Sequence, residues 1–321
     1  MATLKEVAAA AGVAPITVSR VINAPETVKT ETREKVKKIM AAMHYIPNVA
    51  ARNLVTNHTG IIDIFIPECL DLSNPFVMYL IAGISEVLSE HMYSFLILRN
   101  RNQEHLCDGY IVTGLLKNEI LDFYHYARER NRPLVLFGHT ALSDVDCIDV
   151  DNVSGGKMAA EYLLRNGHRK IAMINTDEKK DYTTDRLCGY KQALDEFKAE
   201  FCEENVISAP NHIQGGMEAA AKLLLHGKFS AIFCATDILA IGAAAAIRKA
   251  GLEVGRDISL IGYDGLGYHL LNLPHITTIR QPIFQVGKML AADLLDRLNG
   301  KTEKTSRLIQ PTLLVGQSVR Q

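Results

Sequence analysis

Apolar residues at the start of the chain recur at the three- and four-residue spacing of one helical face. They are Leu4, Val7, Ala8 and Ala11. This pattern predicts a short helix that buries one side. Thr3 and Glu6 match a capping box at its start, and Gly12 can adopt the positive φ that ends a helix.

A second short helix is predicted from Pro15, because a proline in the first turn of a helix loses no needed hydrogen bond. The residues that would pack against the first helix are Val18, Val21 and Ile22. Two helices joined in this way form a helix-turn-helix, whose second helix fits the major groove of DNA. A small helical hairpin within a larger core is the alternative.

A third helix is predicted over residues 31–44. Its buried face would carry Val36, Ile39, Met40 and Met43. Such a helix would complete a three-helix core. Pro47 ends the helical pattern, and the alanine-rich segment that follows at 49–54 is too short to be a stable helix alone.

From residue 61 onward, short β-rich runs alternate with helical runs. Strands are predicted at 61–66, 94–98, 109–112, 134–137 and 147–150, and then at 171–174, 231–234 and 259–263. Helices are predicted at 76–90, 120–130, 155–165, 185–200, 216–226, 239–250 and 283–299. This alternation indicates an α/β fold with two doubly wound parallel sheets. A closing strand at 308–315 is assigned to the second sheet.

The segments TLKEVAAAAGVAPITVSRVIN and VKTETREKVKKIMAAMHYIPNVAARNL resemble the LacI/GalR family of bacterial transcription regulators. The resemblance implies a three-helix helix-turn-helix domain with a hinge helix, followed by a two-lobed body like that of periplasmic binding proteins. It places the DNA-binding domain at 1–58, with the hinge helix at 49–55, and the effector-binding and dimerisation domain at 59–321. Lobe 1 would comprise about 60–150 and 280–307, and lobe 2 about 151–279 and 308–321.

The resemblance also implies a homodimer that reads a pseudo-palindromic operator in double-stranded DNA. The residues expected to contact this DNA are Thr3, Leu4, Ala14, Pro15, Ile16, Thr17, Ser19, Arg20, Asn23, Thr27, Tyr45, Asn48, Ala51, Arg52 and Leu54. Leu54 would wedge between base steps in the minor groove. Ala14 stands where the family usually has Ser or Thr, so a side-chain cap worth about 1 kcal/mol is missing. Ile16 offers only apolar contact, most naturally with a thymine methyl group.

Polar and aromatic residues that follow strands form the candidate effector site, because ligands of open α/β sheets bind at the carboxyl ends of strands. The set is Asn74, Phe76, Arg186, Thr236, Asp237 and Asp264. By the resemblance, Asp264 and Arg186 would hydrogen-bond the hydroxyls of a small sugar or sugar phosphate, and Phe76 would stack on its ring. Arg186 would lie in a helix that opens at Asp185. Asp237 has an equally weighted alternative as a helix N-cap.

One crossover departs from the family pattern. Between the predicted strands at 94–98 and 109–112 only RNRNQEHLC is available, at residues 99–107. A parallel crossover usually needs about a dozen residues or more, so a crossover helix is missing. Either the link is an extended loop or the 94–98 strand pairs differently. The uncovered sheet face supports an alternative in which the body binds a partner protein, such as a phosphocarrier protein, instead of a small molecule.

Composition and charge narrow the class of protein. The 321 residues are 48% hydrophobic and 22% charged, which fits a globular protein of two or three domains. Residues 1–58 hold eight basic and four acidic side chains, so their net charge of +4 contrasts with −5 on the remainder. This asymmetry fits contact between the first domain and phosphates. Neither a signal peptide nor a membrane-spanning run is recognisable, so we expect a cytoplasmic protein with no membrane partner.

Motifs of enzymes are not found. The GxSxG, HExxH and P-loop patterns do not occur, and the glycines at 262–267 do not have GxGxxG spacing. The six cysteines have no CxxC spacing, and His105 with Cys107 is too small a set for a metal site. The resemblance implies a repressor of carbohydrate-utilisation genes, and the missing motifs lead us to expect no catalytic residue, no cofactor and no metal.

Overall fold

The computed structural model describes residues 2–23, 25–45, 58–101, 105–226 and 229–320. The chain forms two compact units, Met1–Gly60 and Ile61–Gln321. The predicted hinge residues lie outside the described residues. They are Asn48, Ala51, Arg52 and Leu54.

The described part of the first unit is helical. It contains α1 (Leu4–Ala11), α2 (Pro15–Asn23) and α3 (Thr30–Ala42). The predicted capping box is present: the Thr3 hydroxyl accepts the Glu6 N–H at 3.3 Å, and the Glu6 carboxylate accepts the Thr3 N–H at 2.7 Å. Gly12 ends α1 with a φ of 62°. The buried core consists of Val7, Ala8, Ala11, Val18, Val21 and Val36.

Two six-stranded sheets form the second unit. Sheet 1 contains β1 (Ile61–Phe65), β2 (Ser94–Leu98), β3 (Gly109–Val112), β4 (Leu134–Phe137), β5 (Asp146–Val150) and β11 (Ser306–Ile309), in the order β11-β5-β4-β3-β1-β2. Sheet 2 contains β6 (Ile171–Thr176), β7 (Val206–Ala209), β8 (Ala231–Cys234), β9 (Ser259–Asp264), β10 (Thr277–Arg280) and β12 (Thr312–Leu314), in the order β12-β10-β9-β8-β6-β7. Neighbouring strands are parallel except for β10 and β12.

Helices cover both faces of each sheet. They are α4 (Pro75–Glu90), α5 (Lys117–Glu129), α6 (Asn152–Arg165), α7 (Asp181–Glu196), α8 (Ile213–His226), α9 (Asp237–Lys249) and α10 (Ile283–Leu298). On sheet 1, α4 and α10 share one apolar core and α5 belongs to another. On sheet 2, α6 and α7 share one core, and α8 and α9 share another. In the described ranges, no helix combines the length and apolar character that a bilayer crossing requires.

The closing segment corrects the prediction of a single strand at 308–315. Its first part, β11, lies parallel to β5 in sheet 1, whereas β12 lies antiparallel to β10 in sheet 2. Pro311 lies between them, and a residue without an N–H cannot continue a hydrogen-bonded ladder. Residues 308 and 309 therefore belong to lobe 1. The chain crosses between the sheets here, as it also does after β5 and after β10.

The short crossover at 99–107 is a loop. β2 pairs in parallel with β1 at the edge of sheet 1, and residues 99–101 and 105–108 contain no helix. Arg99 holds the start of the loop by donating to the Leu70 carbonyl at 2.6 Å. His105 holds its end, since its Nε2 lies 2.8 Å from Oδ1 of the buried Asp63.

Candidate functional site

A cavity of about 170 Å³ lies between the carboxyl ends of strands from both sheets. Its walls include five of the six predicted effector residues, namely Asn74, Phe76, Arg186, Thr236 and Asp264. The first two come from lobe 1 and the other three from lobe 2. The rule that open α/β sheets hold ligands at the carboxyl ends of their strands explains this convergence.

Asp237 does not line this cleft, in contrast to the prediction. Its side chain is fully buried; one carboxylate oxygen accepts the Gly265 N–H at 2.8 Å and the other accepts the Thr278 hydroxyl at 2.6 Å. It is not the N-cap of α9 either, because the Thr236 hydroxyl accepts the Leu239 N–H there, at 3.3 Å. Burial, followed by the charge of Asp264, raises the pKa of Asp237 well above its ordinary value. Asp237 thus supports the loop after β9.

Arg186 is held rigidly at the floor of the cleft. The helix that carries it opens at Asp181, not at the predicted Asp185, so Arg186 lies in the second turn. Its Nε donates to Asn152 Oδ1 at 3.0 Å, and its Nη1 donates to the Ala235 carbonyl at 2.6 Å. The guanidinium carbon lies 4.6 Å and 3.6 Å from the ring centroids of Tyr182 and Tyr263, respectively. The Arg186 side chain is only 3% exposed, and these cation–π contacts stabilise its buried charge.

Asp264 ends β9 in an unusual backbone conformation. Its φ is 122°, a value that side-chain-bearing residues rarely adopt and that is often found at functional sites. Its Oδ1 accepts the Gln281 side-chain amide at 2.7 Å and lies 3.8 Å from Nη1 of Arg186. Desolvation raises the pKa of Asp264 to about 6, although the charge of Arg186 opposes the shift.

Aromatic rings from lobe 1 form an apolar wall. Phe76 and Phe137 pack edge to face, with ring centroids 5.3 Å apart and an angle of 61° between the ring planes. Asn74 caps α4, because its Oδ1 accepts the Phe76 N–H at 2.9 Å. The predicted stacking residue is therefore backed by a second ring that the sequence did not single out.

Further polar lining residues form a network on lobe 2. The Thr236 hydroxyl donates to Asn211 Oδ1 at 2.8 Å, and Asn211 Nδ2 donates to Glu178 at 3.1 Å. The Tyr182 hydroxyl donates to the other Glu178 oxygen at 2.7 Å. Thr236 was predicted, but sequence reasoning missed Asn211, Glu178 and Tyr182 and also Thr113, His139 and Gln281. Thr113, His139 and Glu178 come just after strands that the pattern predicts, so the strand-end rule would have found them, whereas Asn211 and Gln281 follow β7 and β10, which the pattern does not predict.

His139 bridges the two lobes at the cleft. Its Nδ1 lies 3.2 Å from Asp149 Oδ2 in lobe 1, and its Nε2 lies 3.4 Å from Asp181 Oδ2 in lobe 2. Lys117 Nζ of lobe 1 lies 3.2 Å from the other Asp181 oxygen. The hydrogen bond to Asp149 raises the pKa of His139, burial opposes this shift, and the charges of Asp181, Asp149 and Asp185 add to it.

The first unit presents α2 to solvent. The predicted DNA-contacting residues that are exposed are Thr3, Ala14, Pro15, Ile16, Arg20 and Thr27, with Ile16 59% exposed. Thr17 and Ser19 are half-buried, and Leu4 and Tyr45 pack against the core of the unit. Asn23 is the last residue of α2. Exposed Pro15, Ile16 and Arg20 on one short helix form a surface that can reach base edges in a major groove.

A helix-turn-helix unit joined to a two-lobed body with a ligand cleft defines a class of protein, the ligand-responsive DNA-binding regulators. Residues 3–48 match the model of bacterial regulatory proteins of the lacI family, and residues 160–319 match a periplasmic binding protein-like domain. The chain is 35% identical to the HTH-type transcriptional regulator YvdE of Bacillus subtilis (strain 168), and the match covers 99% of both chains.

Two solved structures share the architecture. A transcriptional regulator CelR–cellobiose complex matches with a TM-score of 0.75 and 28% identity, over 99% of this chain and 100% of that chain. The lac repressor dimer bound to operator and the anti-inducer ONPF matches in fold with a TM-score of 0.80 and 24% identity, over 100% and 99%. The chain therefore belongs to the LacI family. It is a DNA-binding transcriptional regulator and not an enzyme, and the predicted family and fold class are confirmed.

Proposed function

We propose that this regulator represses carbohydrate-utilisation genes, binds a pseudo-palindromic operator as a cytoplasmic homodimer, and responds to a small sugar or sugar phosphate. The observation that carries the proposal is the convergence of Arg186, Asp264 and Phe76, from both lobes, on one cleft. The CelR structure that resembles this chain holds cellobiose, and the lac repressor structure is a dimer on its operator. These two structures support a sugar effector and an operator-bound dimer, respectively, for this chain.

On the DNA side, α2 enters the major groove. Arg20, Ser19 and Thr17 contact bases or phosphates, and Ile16 meets a thymine methyl group. Among the described residues, no hydrogen bond or ion pair engages the exposed Arg20, so its guanidinium is available for a base edge. Thr3 and Thr27 contact the sugar–phosphate backbone. The DNA-binding domain spans 1–58, and Asn48, Ala51, Arg52 and Leu54 act from its hinge segment.

On the effector side, a ligand in the cleft contacts both lobes. Binding stabilises one angle between the lobes and thereby shifts the population of dimers that hold their hinge segments in the DNA-binding arrangement. An inducer lowers operator affinity in this scheme and a co-repressor raises it. Reciprocity requires that operator DNA change the affinity for the effector by the same factor.

The first test is selection of DNA from a random library by the full-length protein at moderate salt. We expect enrichment of one pseudo-palindrome, with half-sites related by two-fold symmetry. Binding of all sequences with equal affinity would contradict the proposal.

The second test adds ribose, glucose, cellobiose and their phosphate esters to the selected complex. We expect at least one compound to change operator affinity, and Asp264→Ala to abolish this change while leaving operator binding intact. If no sugar acts but a phosphocarrier protein releases heat on mixing and changes operator affinity, the body is a protein-binding module instead.

A further inference from the structure

The cleft carries an excess of negative charge. Its lining contains four carboxylates and two side chains that are permanently cationic. The carboxylates are those of Asp149, Glu178, Asp181 and Asp264, and the cations are Lys180 and Arg186. Protonation of His139 would still leave the lining negative. A phosphate ester would bring roughly two further negative charges into this space at neutral pH.

Both permanent cations are already committed to partners within the chain. Lys180 Nζ donates to the Gly114 carbonyl of the opposite lobe. Arg186 uses Nε and Nη1 for protein acceptors, lies between two tyrosine rings, and is 3% exposed. Neither side chain presents the open, planar set of donors with which arginine grips a phosphate group in two places.

Helix starts could still attract an anion, because their free N–H groups carry partial positive charge. The chain places its own carboxylates at two helix starts beside the cleft. Asp151 caps α6 by accepting the Ser154 N–H at 2.8 Å, and Asp181 lies in the first turn of α7. A third start, that of α4, is capped by the neutral amide of Asn74. The starts of α6 and α7 therefore already have negative charge from the chain beside them, which disfavours an added anion there.

We propose that this cleft selects an uncharged polyol, such as an unphosphorylated sugar, and rejects the phosphate ester of the same sugar. The inference rests on the proposed effector function and decides between the two ligand classes that this function allows. Carboxylates accept hydrogen bonds from sugar hydroxyls, whereas the oxygens of a phosphate dianion are acceptors only and are repelled by carboxylates. Glu178 and Asp181 are the specificity-determining residues. The partners described for Glu178 are neutral, namely Asn211 and Tyr182. Asp181, which contacts Lys117 and His139, also places its carboxylate in the lobe 2 wall.

The experiment measures the binding of matched pairs to the full-length protein by calorimetry at about pH 7.5, where a phosphate ester is mostly dianionic. The pairs are ribose with ribose 5-phosphate and glucose with glucose 6-phosphate, and cellobiose and inorganic phosphate are measured alone. We expect at least one neutral sugar to bind, and its ester to bind at least about tenfold more weakly. Inorganic phosphate should not compete with the neutral sugar.

Isosteric variants test the assigned residues. Glu178→Gln combined with Asp181→Asn keeps the shape and one acceptor oxygen of each side chain and removes two charges, so the preference for sugar over ester should fall by about threefold or more. Asp177→Asn is the matched control, because Asp177 is exposed beside Glu178 and does not line the cleft. The Asp177→Asn variant should prefer the sugar over its ester by the same factor as the wild type.

The possible outcomes separate the two proposals. An ester that binds more tightly than its parent sugar overturns the charge-selection proposal and leaves the effector function in place. An unchanged preference in the double variant removes Glu178 and Asp181 as specificity-determining residues. If every sugar and every ester fails both to bind and to change operator affinity, the effector function itself is wrong, and the selectivity of the cleft falls with it.

Discussion

Asp264 shows how one residue can carry both strain and charge at a site. Its backbone φ is 122°, and its carboxylate lies between Gln281 and Arg186. Burial raises its pKa from 3.8 to about 6. The folded protein therefore binds a proton at a pH where the unfolded chain has already released it. It follows that the ionised side chain lowers the stability of the fold, and this cost grows as the pH rises from 3.8 through about 6.

The first prediction concerns Asp264→Asn, which removes this titration. Relative to the wild type, we expect the variant to gain stability between about pH 4.5 and about pH 7.5, by on the order of 1 kcal/mol. Denaturant unfolding at both pH values measures the difference. The exposed Asp177→Asn variant is the control, and a difference for Asp264→Asn that stays constant with pH would contradict the assigned pKa.

Arg20 carries the second residue-scale prediction. Its exposed guanidinium on α2 has the fork of donors that matches the major-groove edge of guanine. We expect Arg20→Ala to weaken binding to the selected operator by about 1–3 kcal/mol and to relax the base preference at one position in each half-site. Fluorescence anisotropy with operator variants measures both effects. Equal losses on every DNA sequence would instead assign Arg20 to phosphate contact.

At the scale of elements, the local pattern predicts the strands and helices whose buried residues are apolar. It misses β7 and β10 for different reasons. β7 lies at a sheet edge and is only partly buried, so its pattern is weak. β10 buries Thr277 and Thr278, whose hydroxyls hydrogen-bond the Gly316 N–H and the Asp237 carboxylate. Those partners are distant in sequence, so no local rule predicts that these polar residues lie inside.

Close helix pairing is a second element-scale feature that periodicity does not reveal. Three helix pairs, α4–α10, α6–α7 and α8–α9, approach each other through glycines. They are Gly83 with Gly287, Gly156 with Gly189, and Gly216 with Gly242. A methyl group at any of them would lie 1.9–2.4 Å from a backbone oxygen of the partner helix. In the sequence these positions are only glycines within predicted helices, where glycine has a low helix propensity. Nothing local indicates that a second helix packs against them.

The third prediction tests this packing with Gly189→Ala. In an exposed helix this change gains about 1 kcal/mol. Here the new methyl group would lie 1.9 Å from the Val153 carbonyl oxygen, so α6 and α7 must move apart. We expect a net loss of about 1–3 kcal/mol in the free energy of unfolding. The exposed neighbour Cys188→Ala should change it by less than about 0.5 kcal/mol, and a stabilised Gly189→Ala variant would refute the close contact.

At the scale of the whole body, the strand-end rule located the cleft but not its full chemistry. It predicted that Phe76, Arg186 and Asp264 meet at one cleft, and the structure places all three in the lining of one cavity. It could not predict which side chains bond across the lobes, because Lys180 and Asp181 reach lobe 1 only through the geometry of the loop after β6. The rule also could not predict that Asp237 is buried outside the cleft. Thr236, one residue earlier in the same strand-to-helix turn, does line the cleft.

The lobe-bridging His139 leads to the last prediction, which concerns closure of the body. Both of its ring nitrogens face carboxylate oxygens, one from Asp149 and one from Asp181, so both contacts are satisfied only when the imidazole is doubly protonated. Because the folded-state pKa of His139 is raised, the bridge stabilises the body fully below about pH 6.5 and loses this effect as the pH rises through the raised value.

The stability advantage of wild type over His139→Gln should therefore shrink between about pH 5.5 and about pH 8.5. Denaturant unfolding across this range measures it, with the exposed His125→Gln as the control on α5. The contact between Lys117 and Asp181 is present in both proteins, so it does not contribute to the difference between them. An advantage that is independent of pH would show that the lobes do not depend on the charge of His139.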